Sequence, residues 1–330
     1  ITTREQLIDF AYKVKENYPD IKPIVAGSTQ GEQWNSWGVF PFILDTAPDY
    51  IEMTDALSNS FVLYYKNNDG KVYNLFDTKE PRIWDMILEA RKLYQDGIID
   101  PDILSLKDYR NEIANNKAAI TTSNDFIPED TLRIALKKSV PDGEIESVIL
   151  ADISKPGNVL TNYKQWNFQC VAKVSKNKER ALQFLNWTSK KENYDLLAYG
   201  IEGVHWSPVG DDKYNVLSDK YRWFPYAWVW NPQLDRILAS ASETEIKYEK
   251  WFREESNFVK SVETGFTFDP TNIQNEISQH ASIEGKYYPA LFNGVVDPET
   301  YFEKWKQEDY DNVKNIQNEL QKQIDAFLKK

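Results

Sequence analysis

Four segments set aromatic rings beside amides and carboxylates: Gln33-Trp34-Asn35-Ser36-Trp37, Asn124-Asp125-Phe126, Tyr163-Lys164-Gln165-Trp166-Asn167, and the stretch from Trp223 through Trp228 to Trp230. Ligand clefts combine apolar walls with a few fixed polar groups. A sugar needs both in exaggerated form, because each ring has an apolar face for a flat side chain and a rim of hydroxyls for polar partners. The candidate ligand-binding residues are therefore Trp34, Trp37, Asn124, Asp125, Phe126, Trp166, Trp223, Trp228 and Trp230, with Glu202 added from the turn Tyr199-Gly200-Ile201-Glu202-Gly203-Val204-His205-Trp206. Each has a plainer reading beside it. Trp34 and Trp37 are three apart and fit one inward helix face equally well. At least one of Trp223, Trp228 and Trp230 is expected to be structural, and a structural turn outweighs ligand contact for Glu202 and His205. Trp166, in a polar pentapeptide before a strand, suits a core least.

Catalytic chemistry has little to work with. The chain has no G-x-S-x-G elbow, phosphate-binding loop, dinucleotide fingerprint or H-E-x-x-H pair. Its 51 acidic residues leave a two-carboxylate glycoside hydrolase open on composition alone, since any pair among them would look equally good. His205 and His280 are the only histidines and Cys170 the only cysteine, so no intramolecular disulfide is possible, and neither a metal nor a cofactor is expected. Cys170, in Phe168-Gln169-Cys170-Val171-Ala172, reads as a buried structural residue. Aromatics make up 14% of the chain, with 11 Trp and 19 Tyr, and most of them should be core. Acidic residues spread along the chain give 39 − 51 = −12, a charge that repels phosphate backbones; no nucleic-acid partner is expected. No run of about 18 apolar residues is present.

The elements that would position these groups alternate in α/β fashion. A helix opens on Thr2-Thr3-Arg4-Glu5 with Leu7, Phe10, Ala11, Val14 and Tyr18 on one face. With neither an initiator Met nor a signal peptide, this abrupt start is expected of a mature or truncated product. Ile21 to Ala26 reads as a buried strand, followed by the flexible loop Gly27 to Gly31 where α/β ligands dock. Strands Phe61 to Tyr65 and Lys71 to Phe76 flank Asn67-Asn68-Asp69-Gly70, a hairpin turn and not a calcium loop, whose spaced ligands are absent. Helices are expected after Thr78, ending at Gly97, and over Leu106 to Asn116, with a strand at Ala118 to Thr122 and an αβ step from Asp130 to Ala151. Ser154 to Asn158 reads as an inter-lobe crossing. Beyond it the pattern restarts with strand Phe168 to Val174, helix Lys178 to Thr188 and helix Asn193 to Tyr199, closed by Gly200. Tyr221 to Trp230, bounded by Pro225 and Pro232, reads as a loop or helix entry. The C-terminus is a long amphipathic helix with Val313, Ile316, Leu320, Ile324, Phe327 and Leu328 inward.

Several of these segments resemble the carbohydrate-binding family 1 extracellular solute-binding proteins, relatives of maltose-binding protein, and especially their Gram-positive lipoprotein branch. Thr3-Arg4-Glu5-Gln6-Leu7 is similar to the opening of that family's second lobe, Leu93 to Pro101 (LYQDGIIDP) to a frequent helix-terminating segment, and Asn116-Lys117-Ala118-Ala119-Ile120 to a family strand. More specific are Asn193 to Gly203 (NYDLLAYGIEG) and the tail running from Gly265-Phe266-Thr267-Phe268-Asp269 through Gly294-Val295-Val296-Asp297-Pro298 to Gln321-Lys322-Gln323-Ile324-Asp325-Ala326-Phe327. Together they cover nearly the whole chain.

The resemblance implies an α/β, periplasmic-binding-protein-like fold of type II: two lobes around a ligand cleft, a helical C-terminal region, and a first lobe incomplete in this chain. Residues 1–155 would form the second lobe, 156–210 the returning part of the other, and 211–330 a mainly helical region completing both. It implies a non-enzymatic, extracellular, monomeric binding protein that captures a carbohydrate, an oligosaccharide above all, for the membrane permease of an ABC importer. Membrane contact would run only through a lipid anchor outside this chain, and a peptide or peptidoglycan fragment is the alternative ligand. By position, Trp34 matches an aromatic in the family's loop after the first strand of this lobe, Asn124 to Phe126 follow the strand where sugar contacts commonly sit, and Trp228 or Trp230 matches an aromatic platform near the start of a late helix. Phe126 stands where Trp is more usual.

Overall fold

The computed structural model describes residues 1–25, 51–54, 56–57, 60–105, 109–121, 130–148, 157, 159–161, 169–218, 220–221 and 229–329. Its elements run α1 (Arg4–Asn17), β1 (Lys22–Ile24), β2 (Ile51–Met53), β3 (Leu63–Lys66), β4 (Val72–Asn74), α2 (Leu75–Thr78), α3 (Pro81–Gln95), α4 (Tyr109–Ala114), β5 (Ala118–Ile120) and α5 (Asp130–Ser139). There follow β6 (Val159–Thr161), α6 (Lys178–Thr188), α7 (Lys191–Tyr199), β7 (Trp206–Val209), β8 (Lys213–Val216), β9 (Ile237–Leu238), α8 (Glu243–Phe252), β10 (Phe258–Lys260), α9 (Gln274–Phe292) and α10 (Pro298–Leu328).

Among the described residues the largest core lies between the antiparallel sheet β2-β3-β4 and helices α3, α9 and α10. The β3–β4 turn forms where Asn-Asn-Asp-Gly calls for it: Asn67 and Asn68 adopt φ of 58° and 53°, a left-handed geometry that Asn tolerates better than most residues. Asn68 also anchors the turn, since its amide donates to Lys260 O at 3.1 Å and accepts from Val262 N at 2.7 Å. The free edge of β4 is occupied by α10, where Gln321 accepts from Val72 N (2.7 Å) and Gln317 donates to Val72 O (2.8 Å). These bonds satisfy groups that an open sheet edge would leave bare.

Helix α10 buries Phe302, Trp305, Val313, Ile316, Leu320 and Ile324 at helical spacing. Leu328 is 46% exposed, because the stripe runs past the end of the sheet it covers. Trp305 is fully buried and meets Phe76 edge-on at 5.1 Å. It also donates its N–H to Asp309 at 3.0 Å. His280 of α9 completes this buried cluster, with Nδ1 2.7 Å from Asp309 Oδ2 and Nε2 3.5 Å from Glu284. Burial alone would lower the imidazole's pKa, but the two carboxylates outweigh it and lift it to about 9. The α9–α10 connection docks on α3 through Gly294. Its φ of 72° and the place where a Cβ would fall, 2.2 Å from Ala90 O, leave room for glycine alone. Arg91 clamps the same turn by donating to Gly294 O and Val295 O at 2.9 and 3.0 Å.

A second core joins α1, the parallel pair β1–β5 and the other face of α3 through Ala11, Ile24, Ala90, Leu93, Ile98 and Ile99. Thr3 caps α1 by accepting from Gln6 N, one residue later than Thr2 would have placed the cap. Phe10 and Tyr18, expected on the packed face, are exposed. Of the expected crossing segment, Gly157 is described, and its N–H donates to Asn257 O at 2.8 Å. Next to it, β6 pairs in parallel with β10. Residues 140–148 contain no strand.

The unit after the expected crossing departs from the sequence reading in its first element. Helices α6 and α7 form where their periodicity places them, yet residues 169–174 form no strand and Cys170 is exposed, not buried. Val174 is 89% exposed, and Leu182, Phe184 and Trp187 of α6 also face solvent, with Phe184 and Trp187 stacked at 5.9 Å. Helical period fixes a helix locally, but a strand requires a partner to complete its hydrogen bonds.

Candidate ligand-binding site

Helix α7 carries a cluster of aromatic and polar side chains that includes Tyr194, Asp195 and Tyr199. It ends at Gly200, whose φ of 85° turns the chain back; a Cβ there would lie 2.6 Å from His205 Nδ1. That space lets the imidazole fold over the turn and accept Ile201 N–H at 2.9 Å, so Nδ1 is the acceptor nitrogen. The ring stacks on Tyr221 (5.3 Å, 27°), and the Tyr221 hydroxyl donates to Leu197 O at 2.5 Å. His205 is thus a clasp on the turn, as the plainer reading had it. Burial pushes the Tyr221 phenol up.

On the buried side of α7, Asp195 accepts from Lys191 Nζ at 2.7 Å and from Arg236 Nε and Nη2 at 3.1 and 2.9 Å. Desolvation lowers the Lys191 pKa against the pull of Asp195. The Arg236 guanidinium lies 4.9 Å over the Trp206 ring, whose own N–H donates to Gly200 O at 3.0 Å. The Tyr199 ring lies 4.4 Å from that of Tyr214, and the Tyr199 hydroxyl accepts Arg236 N–H at 2.6 Å. Two cations and one carboxylate are therefore locked together among three rings.

Asp235 extends this cluster outward. Its Oδ1 accepts the Tyr194 hydroxyl at 2.5 Å and its Oδ2 the Trp230 indole N–H at 2.6 Å. Burial raises the Asp235 pKa, opposed by those bonds and by Arg253 and Lys191. The Tyr194 and Tyr199 phenols are driven far up, first by burial and then by the Asp235 charge. Trp230 is 41% exposed and holds its indole N–H against Asp235.

Of the candidate ligand contacts, the structure describes two. Trp230 stands on the α7 cluster, and Glu202 is exposed on the turn beyond the same helix, beside the exposed Ile201 and Val204. Trp34, Trp37, Asn124, Asp125, Phe126, Trp166, Trp223 and Trp228 lie outside the described residues. Tyr194, Asp235 and Arg236 are additions that sequence reasoning missed: 41 residues separate Tyr194 from Asp235, and no local motif announces the pairing. Among the described residues no group of three or more His, Cys, Asp or Glu side chains could hold a metal ion. Asp69, in the Asn-rich turn, spends its oxygens on Lys71 N (2.9 Å) and the Tyr73 hydroxyl (2.6 Å), which helps push that phenol to about 12.

Residues 262–329 match a family model described as a domain of unknown function, DUF3502. A carbohydrate ABC transporter substrate-binding protein of Streptococcus pneumoniae serotype 4 is 26% identical over 343 residues, covering all of this chain and 63% of its own length. An uncharacterized protein in the butB 5′ region of Niallia circulans is 30% identical over 133 residues, 39% of this chain and 51% of that protein. The chain thus spans less than two thirds of either relative. Among solved structures, an N-glycan transport solute-binding protein, NgtS, from S. pneumoniae superposes over the whole chain and 68% of its own, with TM-score 0.71 and 22% identity. The same protein in complex with Man1GlcNAc gives 0.68 at 21% identity, over the whole chain and 69% of its own. The alginate-binding protein AlgQ2 gives 0.54 at 15%, covering 98% of this chain and 68% of that one. These likenesses establish the fold as that of the type II periplasmic solute-binding proteins, mixed α/β with a helical C-terminal region.

Proposed function

We propose that this chain is the substrate-binding portion of a carbohydrate importer of the ABC class, working outside the cell and handing an oligosaccharide to a membrane permease without chemical change. The carrying observation is the whole-chain likeness to a carbohydrate substrate-binding protein. Binding falls to stacking aromatics, Trp230 and the loop residues Trp34, Trp37, Phe126, Trp166, Trp223 and Trp228, with Asn124, Asp125 and Glu202 bonding hydroxyls. Residues 156–210 serve as the returning part of a lobe shared with polypeptide beyond this chain. The exposed, stacked pair Phe184 and Trp187 on α6 supports that assignment, since a lobe's sheet would cover it. The receptor works as a monomer, held at the membrane by a lipid anchor.

The test is calorimetric titration of a glycan panel into the longest natural polypeptide that carries residues 1–330. Saturable binding of an oligosaccharide is expected. Binding of a peptide or peptidoglycan fragment with no glycan response would overturn the reading, as would turnover of a reporter glycoside abolished by one acid substitution.

A further inference from the structure

We propose that Asp235 is a positioning residue, fixing the Trp230 indole and removing its N–H from ligand recognition, so that Trp230 meets a sugar by its ring face alone. The proposal rests on the carbohydrate reading above.

An indole has one hydrogen-bond donor and no acceptor. In Trp230 that donor is committed to Asp235 Oδ2 at 2.6 Å. A tryptophan side chain has only two rotatable bonds, so one strong bond at its edge leaves the ring little freedom. The carboxylate is itself held from two directions. Tyr194 of α7 occupies its other oxygen, and Arg253, at the end of α8, donates to its main-chain carbonyl at 2.8 Å while bonding Glu249 at 3.1 Å. The chain between is tight as well, for Leu234 N donates to Asn231 O at 2.9 Å and Gln233 N to Asn231 Oδ1 at 3.1 Å. Ring, turn and two helices thus form one supported shell, the arrangement that holds a binding group in place before its ligand arrives. Trp230 is 41% exposed, so part of the side chain is open to a ligand, and with its N–H committed that part offers no donor. A pyranose presenting an unbroken C–H face suits it, and one with an axial hydroxyl on that face does not.

The experiment is calorimetry with the tightest glycan of the panel on Trp230→Ala, Trp230→Phe, Asp235→Ala, Asp235→Asn and the double variant Trp230→Ala/Asp235→Ala. Asp235→Ala should weaken binding by about 2- to 12-fold, the ordering cost of one released side chain. Asp235→Asn, whose carbonyl still accepts the indole N–H, should recover most of it. Trp230→Phe, which keeps a face and has no N–H, should bind better than Trp230→Ala. In the Trp230→Ala background the Asp235 substitution should have no further effect, a coupling that a merely structural aspartate would not show. Additive losses overturn the positioning role. Equal losses from Trp230→Phe and Trp230→Ala overturn face-only recognition. Glycan binding indifferent to Trp230→Ala removes Trp230 from the site while leaving the carbohydrate reading intact; no glycan binding by the unsubstituted protein overturns that reading and this proposal together.

Discussion

Raising the pH from 6 to 10 should strip roughly 3 kcal/mol from the C-terminal helical unit, and His280 should be the cause. Its imidazole is buried between Asp309 (2.7 Å) and Glu284 (3.5 Å). Asp309 in turn accepts from Trp305 Nε1 at 3.0 Å and from Asn312 Nδ2 at 3.2 Å. In the folded chain the ring holds its proton up to about pH 9, against an ordinary value of 6.5 once unfolded. Between those values the native state binds a proton that the unfolded state has released, so stability falls as pH rises. The contribution is complete below pH 6.5 and gone above about 9. The gap between about 9 and 6.5, at about 1.4 kcal/mol per pH unit, gives the roughly 3 kcal/mol. His280→Gln, which keeps a donor near Asp309 but no charge, should cost about 3 kcal/mol at pH 6 and little at pH 10. The assay is urea unfolding of both proteins across that range, read by helical circular dichroism. A stability difference that stays constant from pH 6 to 10 refutes the reasoning, as does an imidazole whose NMR resonances titrate near 6.5.

Gly294→Ala combines left-handed strain with a methyl driven into Ala90 O, and should lower stability by more than about 2 kcal/mol, measured by chemical denaturation. Asp195→Ala strips the carboxylate from Arg236 and Lys191 in a nearly buried setting, and a loss of about 3 kcal/mol is expected in the same assay; a loss below about 1 kcal/mol would mean that solvent reaches the pair. Trp305→Ala removes the largest fully buried side chain among the described residues and its bond to Asp309, and should cost about 3–5 kcal/mol. Cys170 should react with a maleimide under native conditions at a rate near that of the urea-unfolded chain; strong protection would contradict its exposed position.

Where one segment's own pattern suffices, the sequence located the element. Asn67-Asn68-Asp69-Gly70 demanded a hairpin turn, Pro81 and Gly97 bracketed α3, and the apolar stripe from Val313 to Ile324 located the buried face of α10. Propensity, caps and period act over a few residues and are written in a few residues. The same locality explains the misses. Phe10, Tyr18 and Leu328 lie on periodic apolar faces, but whether such a face is buried depends on how far the neighbouring element extends.

For the candidate site, the sequence determined which residue types could stack on or bond a sugar, and it placed Glu202 in a turn and Trp230 in a loop or helix entry. The tertiary structure alone decided what each is joined to. Asp195 finds Arg236 across 41 positions, and Tyr194 finds Asp235 across the same span. Gly294 must be glycine because of a carbonyl on α3, and Cys170 is exposed because residues 169–174 form no strand. Such pairings follow from the path of the chain through space, and the free energy that fixes that path is summed over every contact at once. No short run of residues contains it.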